Sequence, residues 1–211
     1  MLFRSATPGG LGTVMLTSAG TVTQTAAGAI LAQDLLLTGT GGAASIFDLN
    51  NANNNLSTSD IAANAPGGTV QFYDINGFTV GTVGATVGIT AQTVALGAGG
   101  AVDQDAGSPI IAPNLELYGA GPFTLDEATN NINVLDADVS GDVLLVNSDG
   151  VDLGAINLNT GSPFHVGGDF SVTALTGNIT DSTNVTLDQN GAFYAPGGSI
   201  VLGDTTIFSA Q

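Results

Sequence analysis

The segment Thr93-Val94-Ala95-Leu96, followed by Gly100-Ala101-Val102-Asp103-Gln104, repeats Thr13-Val14-Met15-Leu16 followed by Gly20-Thr21-Val22-Thr23-Gln24 at an offset of 80 residues (94 − 14). Asn114-Leu115-Glu116-Leu117 continues the match on Asp34-Leu35-Leu36-Leu37 at the same offset. Residues 125–132 then match residues 49–56 at 76, and residues 149–156 match residues 76–83 at 73. A third, degenerate copy starts at Gly168-Asp169-Phe170-Ser171-Val172-Thr173. Within each copy apolar and polar residues alternate and each short run closes on Gly, Asn, Asp or Ser, which is the pattern of half-buried strands ending in turns.

The strands read as about four to six residues long, and less than ten residues often separates one from the next, which favours a coil that turns a corner after each strand. A unit of about 75 residues is too long for one turn of such a coil and reads as three or four rungs of ~20–25 residues. The expected fold is therefore all-β: a right-handed parallel β-helix (solenoid) of about 9–10 rungs with three strands per rung, in which each rung buries its inner face only when stacked on neighbours. Residues 1–211 read as one solenoid segment without a domain boundary, a piece of a much longer repeat passenger. Alternation directs Val14, Leu16, Val22, Ile30, Leu35, Leu37, Val70, Phe72, Val80, Leu115, Leu117, Val143, Leu145, Leu153, Ile200 and Leu202 inward. It directs Thr21, Thr23, Gln71, Thr79, Asp103 and Asp152 outward.

Composition fits this reading. The 211 residues include 31 Gly and 43% hydrophobic residues, enough apolar content for a core. One Lys or Arg stands against 18 Asp and Glu, a formal net charge of −17. With a single cation the chain cannot neutralise a phosphate lattice, so nucleic acid, heparin-like polymers and anionic membrane surfaces are excluded as partners. The absence of cysteine removes disulfides and thiolate chemistry. No apolar run approaches the ~20 residues of a membrane helix, so no membrane insertion is expected.

Several residues have types that could carry chemistry. Asp136, Asp138 and Asp142 form an acid cluster, with Asp136 and Asp138 on one strand face, as paired carboxylates of a glycosidase would be. No aromatic or cationic sugar platform accompanies them in sequence, and they read as solvated corner acids. Asp74-Ile75-Asn76-Gly77 and Asn147-Ser148-Asp149-Gly150 echo half of a calcium loop but lack its closing Glu, and read as turns. His165, the sole histidine, has no acid nearby in sequence and reads as a corner residue. Asn50, Asn51, Asn53, Asn54 and Asn55, with Asn130, Asn131 and Asn133, could stack as an amide ladder at one corner. Asn51, Asn53, Asn54, Asn130 and Asn131 are the candidates for glycan contact there. No cofactor is expected. The strand character of Thr205-Thr206-Ile207-Phe208 leads to an expectation of end-to-end self-association.

The phrasing of Val22-Thr23-Gln24-Thr25-Ala26-Ala27-Gly28-Ala29-Ile30, Asn53-Asn54-Asn55-Leu56-Ser57-Thr58 and Asp74-Ile75-Asn76-Gly77-Phe78-Thr79-Val80-Gly81-Thr82-Val83 resembles the repeats of filamentous-haemagglutinin-type exoproteins, over residues 12–208. The resemblance implies a right-handed parallel β-helix, export through a two-partner or autotransporter route with a dedicated outer-membrane transporter, and a place outside the cell. It also implies a structural and adhesive shaft, not an enzyme, that attaches to a host or neighbouring-cell surface glycan or protein or supports biofilm. The alternatives are a carbohydrate-active enzyme of glycosidase type on the same scaffold and an ice- or surface-binding solenoid lined by Thr-x-Thr pairs.

Overall fold

Alternation becomes burial along many of the strands. In Val143–Asn147, Val143, Leu145 and Asn147 are buried while Leu144 and Val146 are partly exposed, as period-two geometry requires. The computed structural model describes residues 3–4, 6–7, 10–57, 59–159, 164–203 and 207–208. It is 56% strand and 2% helix and forms a parallel β-solenoid of about nine turns. Nine turns at ~4.8 Å per strand make a stack ~40 Å tall. Thr205 and Thr206, part of the self-association expectation, lie outside the described residues.

The strands stack in columns. The first runs through Val14–Ser18, Leu35–Gly39, residues 61–65, 89–91, 110–112 and 131–132. The second runs through Thr21–Thr23, Ile46–Leu49, residues 69–74, 93–98, 114–119 and 134–139, and then Phe164–Val166 and Val185–Leu187. The third runs through Phe78–Val80, Val102–Gln104, Phe123–Leu125, Val143–Asn147, Phe170–Ala174 and Gly191–Tyr194. Residues one turn apart commonly differ by 21, as Thr93 and Asn114 do.

These columns resolve the sequence repeat. Residues 14–16 and 35–37 lie in the first column, whereas their counterparts 94–96 and 115–117 lie in the second. Residues 21–23 and 46–49 lie in the second, and their counterparts 102–104 and 123–125 in the third. Val14 reaches the strand of Val94 in three steps, through Leu35, Ile61 and its neighbours, and Ile89. The two copies are thus related by three turns plus one column, and equivalent residues never stack on one another.

The expected four-to-six-residue strands are corrected at the corner between the first two columns. There Asp60–Asp74 runs as one strand of 15 residues, and Ile89–Ala98 and Ile110–Gly119 as strands of 10. The corner bends within a continuous strand instead of breaking it, helped by Gly67 at φ +76°.

Inside, the expected inward residues from Val14 to Leu153 pack into one core, with Leu16 and Val22 partly buried on its margin. Phe78, Phe123 and Phe170 alternate with Val102 and Val143 along the third column, so large and small side chains share the width. Ile200 stacks on Ile179 as expected but keeps 46% of its surface, lying in the last described turn. A hairpin of Thr82–Val83 and Thr86–Val87 leaves the coil, and Val83 covers the outward-facing Leu36 and Ala62 in a second apolar cluster.

Where the hairpin departs, Asp60 lies near Asp105 and Asp34. Partial burial raises the Asp60 pKa first, and the Asp105 carboxylate adds to this, while the Thr82 amide at 3.3 Å opposes it. A raised folded-state pKa means that ionised Asp60 destabilises the fold above that pKa, and that the penalty is absent below the ordinary carboxylate range. Asp60→Asn is expected to raise the melting temperature slightly at pH 7, on the order of 1 °C, and to change nothing at pH 3. Thermal melts at both pH values check this.

Candidate functional site

Residues 154–159 leave the coil between Val151–Leu153 and Phe164–Val166, and they account for the longer turn here, in which Asp138 pairs with His165 across 27 positions instead of 21. They descend as a strap over the outer face of the second column. Thr23, Asp48, Gln71, Ala95, Glu116 and Asp136 stack in register on that face. Asp136 Oδ2 accepts the amides of Ile156 at 2.7 Å and Asn157 at 3.2 Å. Glu116 accepts Leu158 N–H at 3.0 Å on Oε2 and Asn159 N–H at 2.7 Å on Oε1. Both carboxylates are fully buried, and so is Ala95, the next residue down the column.

Asp136 was expected as a solvated corner acid. It instead sits mid-strand beneath the strap, because two successive backbone N–H groups supply the hydrogen bonds that water would otherwise give. Its proposed partners are occupied elsewhere. Asp142 accepts the Asp169 amide at 2.8 Å, and Asp138 lies 3.5 Å from His165 Nδ1. His165 is likewise not a corner residue. It is the middle of strand Phe164–Val166, between Asp138 and Asp188, with Nε2 3.3 Å from Asp188. Both acids are more than 20 positions away in sequence, one turn up and one turn down, which is why local inspection misses them.

The strap ends on a polar hub. Asn159 Oδ1 accepts from Asn50 Nδ2 at 2.9 Å, and the same amide nitrogen lies 2.9 Å from Gln71 Oε1 and 3.1 Å from Asp48 Oδ1. Tyr118 donates its hydroxyl to Asn50 Oδ1 at 2.8 Å. The Tyr118 and Tyr73 rings, 6.0 Å apart, close over Gly97, where an added Cβ would stand 2.3 Å from Tyr118. Burial, and then the neighbouring Glu116 carboxylate, raise the Tyr118 pKa well above the ordinary phenol value.

Replacing Glu116 by Gln leaves an NH2 group facing one of two strap amides, donor against donor. Losing a charge-assisted bond of ~1.5–3 kcal/mol predicts that amide exchange at residues 158 and 159 accelerates by about 10- to 100-fold, while Leu115 and Leu117 exchange as before. Hydrogen exchange read residue by residue checks this.

Beside the hub, Gln24, Thr25, Ala26, Asp48, Asn50, Asn51, Ala52 and Asn53 line an open cleft of about 360 Å³. A buried amide pair forms its floor. Asn54 donates to Gln24 Oε1 at 3.1 Å and accepts from Gln24 Nε2 at 2.7 Å, and it also holds the Ile30 N–H at 2.8 Å and the Leu49 carbonyl at 2.9 Å. The second copy repeats this with Gln104 and Asn130: 3.0 and 2.7 Å between the amides, 2.7 Å to Ile110 N–H and 3.3 Å to the Leu125 carbonyl.

The expected asparagine ladder is therefore corrected to two separate Asn–Gln pairs, formed because each Asn lies one turn from a Gln and in the interior, where both amide faces must be satisfied. Asn54 and Asn130 are fully buried and not placed to touch a ligand, whereas Asn53 and Asn131 are exposed and Asn51 is half-buried. The two segments that echo a calcium loop are turns, as expected, and each points its first residue inward. Asp74 accepts Leu56 N–H at 2.7 Å on Oδ2, with Asn76 and Gly77 amides on Oδ1, and Asn147 holds the equivalent Ile132 N–H at 2.9 Å. Among the described residues no group of three or more His, Cys, Asp or Glu is placed to hold a metal ion. No protein-family model, curated protein sequence or solved structure matches the chain.

Proposed function

We propose that the chain is a structural and adhesive shaft segment of a secreted or cell-surface protein, which holds a binding surface away from the cell and attaches to a glycan or protein on a host or neighbouring cell. The observation that carries this reading is the parallel stack of about nine turns, whose inward-facing residues recur between copies, as Val14, Leu35 and Leu37 do in Val94, Leu115 and Leu117, while outward-facing residues change. A stacked solenoid grows by adding turns and presents a long surface, which suits a projecting role. The filamentous-haemagglutinin-like phrasing supports the same reading, and with it export through an outer-membrane transporter.

Against glycosidase chemistry, the three candidate acids do not converge. Asp136 binds the strap, Asp138 faces His165 and Asp142 caps a neighbouring turn. The Thr-x-Thr alternative fares no better, since Thr21 is followed up its column by Ile46 and not by another threonine. Latex beads coated with the protein are expected to attach to cultured epithelial or bacterial cells, and beads coated with the heat-denatured chain are not. Equal attachment of both, or of neither, would contradict the adhesive role.

A further inference from the structure

We infer that the cleft lined by residues 24–26, 48 and 50–53 binds one neutral hexopyranose unit of a surface glycan. The inference rests on the adhesive reading and names its ligand.

The comparison of copies isolates the cleft. The Gln–Asn floor is kept, Gln24 matching Gln104 at the offset of 80 and Asn54 matching Asn130 at 76, yet at 76 the polar residues of the rim differ: Asp48 corresponds to Thr124, Asn50 to Asp126, Asn51 to Glu127 and Asn53 to Thr129. In both copies the rim is tied to the turn that faces it. Glu127 accepts the Gly107 amide at 2.6 Å and the Thr129 hydroxyl at 2.8 Å, and the Gly107 bond is the first cause of its lowered pKa. In the first copy Asn51 makes the matching tie, its Nδ2 donating to the carbonyls of Thr25 at 2.8 Å and Ala26 at 3.1 Å and its Oδ1 accepting the Asn53 N–H at 2.9 Å, and the wall is made of amides beside one carboxylate. The scaffold stays constant and the exposed chemistry is what changes.

That chemistry suits vicinal hydroxyls. Asp48 Oδ1 is taken by Asn50, leaving Oδ2 to accept from a sugar hydroxyl, and the exposed Asn53 amide can both donate and accept, while Asn50 and Asn51 are held by their own bonds and shape the wall. The wall is preorganised. Asn50 is fixed by Asp48, Gln71, Asn159 and Tyr118, so the strap braces one side of the cleft. A volume of about 360 Å³ falls at the small end of ligand sites, which begin at ~300 Å³. Charge sets the class. With Asp48 in the wall and a net charge of −17, sialylated, uronic and sulfated sugars are repelled, and a neutral pyranose is not.

The test is saturation-transfer NMR on the whole chain with the methyl glycosides of glucose, galactose, mannose and N-acetylglucosamine at about 10 mM, a range suited to millimolar affinity. Sialyllactose and a heparin hexasaccharide serve as anionic probes. The key variant is D48T/N51E/N53T, which places the second copy's own residues on the first copy's frame. It leaves the hub residue Asn50 in place, and circular dichroism checks its fold; N53T alone, at an exposed position, stands in should the triple variant not fold. At least one neutral glycoside is expected to give transfer that falls by ~10-fold or more in the triple variant, or measurably in N53T, and neither anionic probe is expected to give any. The proposal fails if no neutral glycoside gives transfer, if the variant binds as well as the native chain, or if an anionic probe binds equally. Bead attachment without glycoside binding would overturn the cleft assignment alone. Glycoside binding without bead attachment would overturn the shaft reading alone.

Discussion

Leu37→Asp is expected to lower stability by about 5 kcal/mol or more and to leave little folded protein at 37 °C. Leu37 is fully buried, stacked between Leu16 and Ala63, so a carboxylate there meets neither water nor a cation. A neutral acid would escape the charge penalty but not the loss of packing. Thr23→Asp is the matched control, since Thr23 is exposed and its counterpart Asp103 is already an acid. The contexts are not identical. Thr23 stacks on Asp48 whereas Asp103 stacks on Thr79, so the control should cost a few tenths of a kcal/mol from like-charge contact, screened by salt. Urea denaturation of both variants measures the contrast, and similar midpoints would mean that the inward and outward faces are assigned wrongly.

The second large effect belongs to Asn130. Replacing it by alanine orphans the buried Ile110 N–H and takes one bond each from the Leu125 and Val146 carbonyls and two from the Gln104 amide, which keeps the Ser108 carbonyl and the Glu127 N–H. The orphaned N–H costs ~1–3 kcal/mol and each further lost bond ~0.5–1.5 kcal/mol, so Asn130→Ala is expected to lose about 3–5 kcal/mol, which corresponds to a fall in melting temperature of about 10 °C. Asn54→Ala should behave alike, because its bonds to Gln24, Ile30 and Leu49 reproduce those of Asn130. A loss under 1 kcal/mol in both would show that the Gln–Asn pairs are incidental to the stack.

Much of the fold is legible in the residues themselves. Period-two alternation in residues such as Val143, Leu145 and Leu117 fixes which side chains go inside, and the repeat announces a coil. Stacking phase is a different matter. Alternation is a property of one strand, whereas the neighbour across a ladder depends on how many residues each corner consumes. Insertions such as the 82–87 hairpin and the 154–159 strap change that number. The one-column rotation between copies was therefore hidden, although the sliding offsets of 80, 76 and 73 carry its trace. The same limit explains the site. Gln24 and Gln104, Asn54 and Asn130 are all visible as repeated identities, but nothing local joins a Gln to an Asn 30 positions on in the first copy and 26 in the second. The strap was less legible still. Ile156 to Asn159 bind through their backbone N–H groups, which every non-proline residue has, so only the burial of Glu116 and Asp136 reveals them.

The most direct test of the account is the set of cross-strand NOEs in the second column. In-register parallel stacking predicts amide-to-Hα NOEs linking Val94 to the strand of Leu115, 21 positions on, and Leu115 to the strand of Leu135, 20 positions on. Strong Hα–Hα NOEs between those strands, the mark of antiparallel pairing, would contradict the solenoid, and NOEs joining Val94 to residues 61–63 of the first column in place of Val70 would contradict the rotation of the second copy onto the next column.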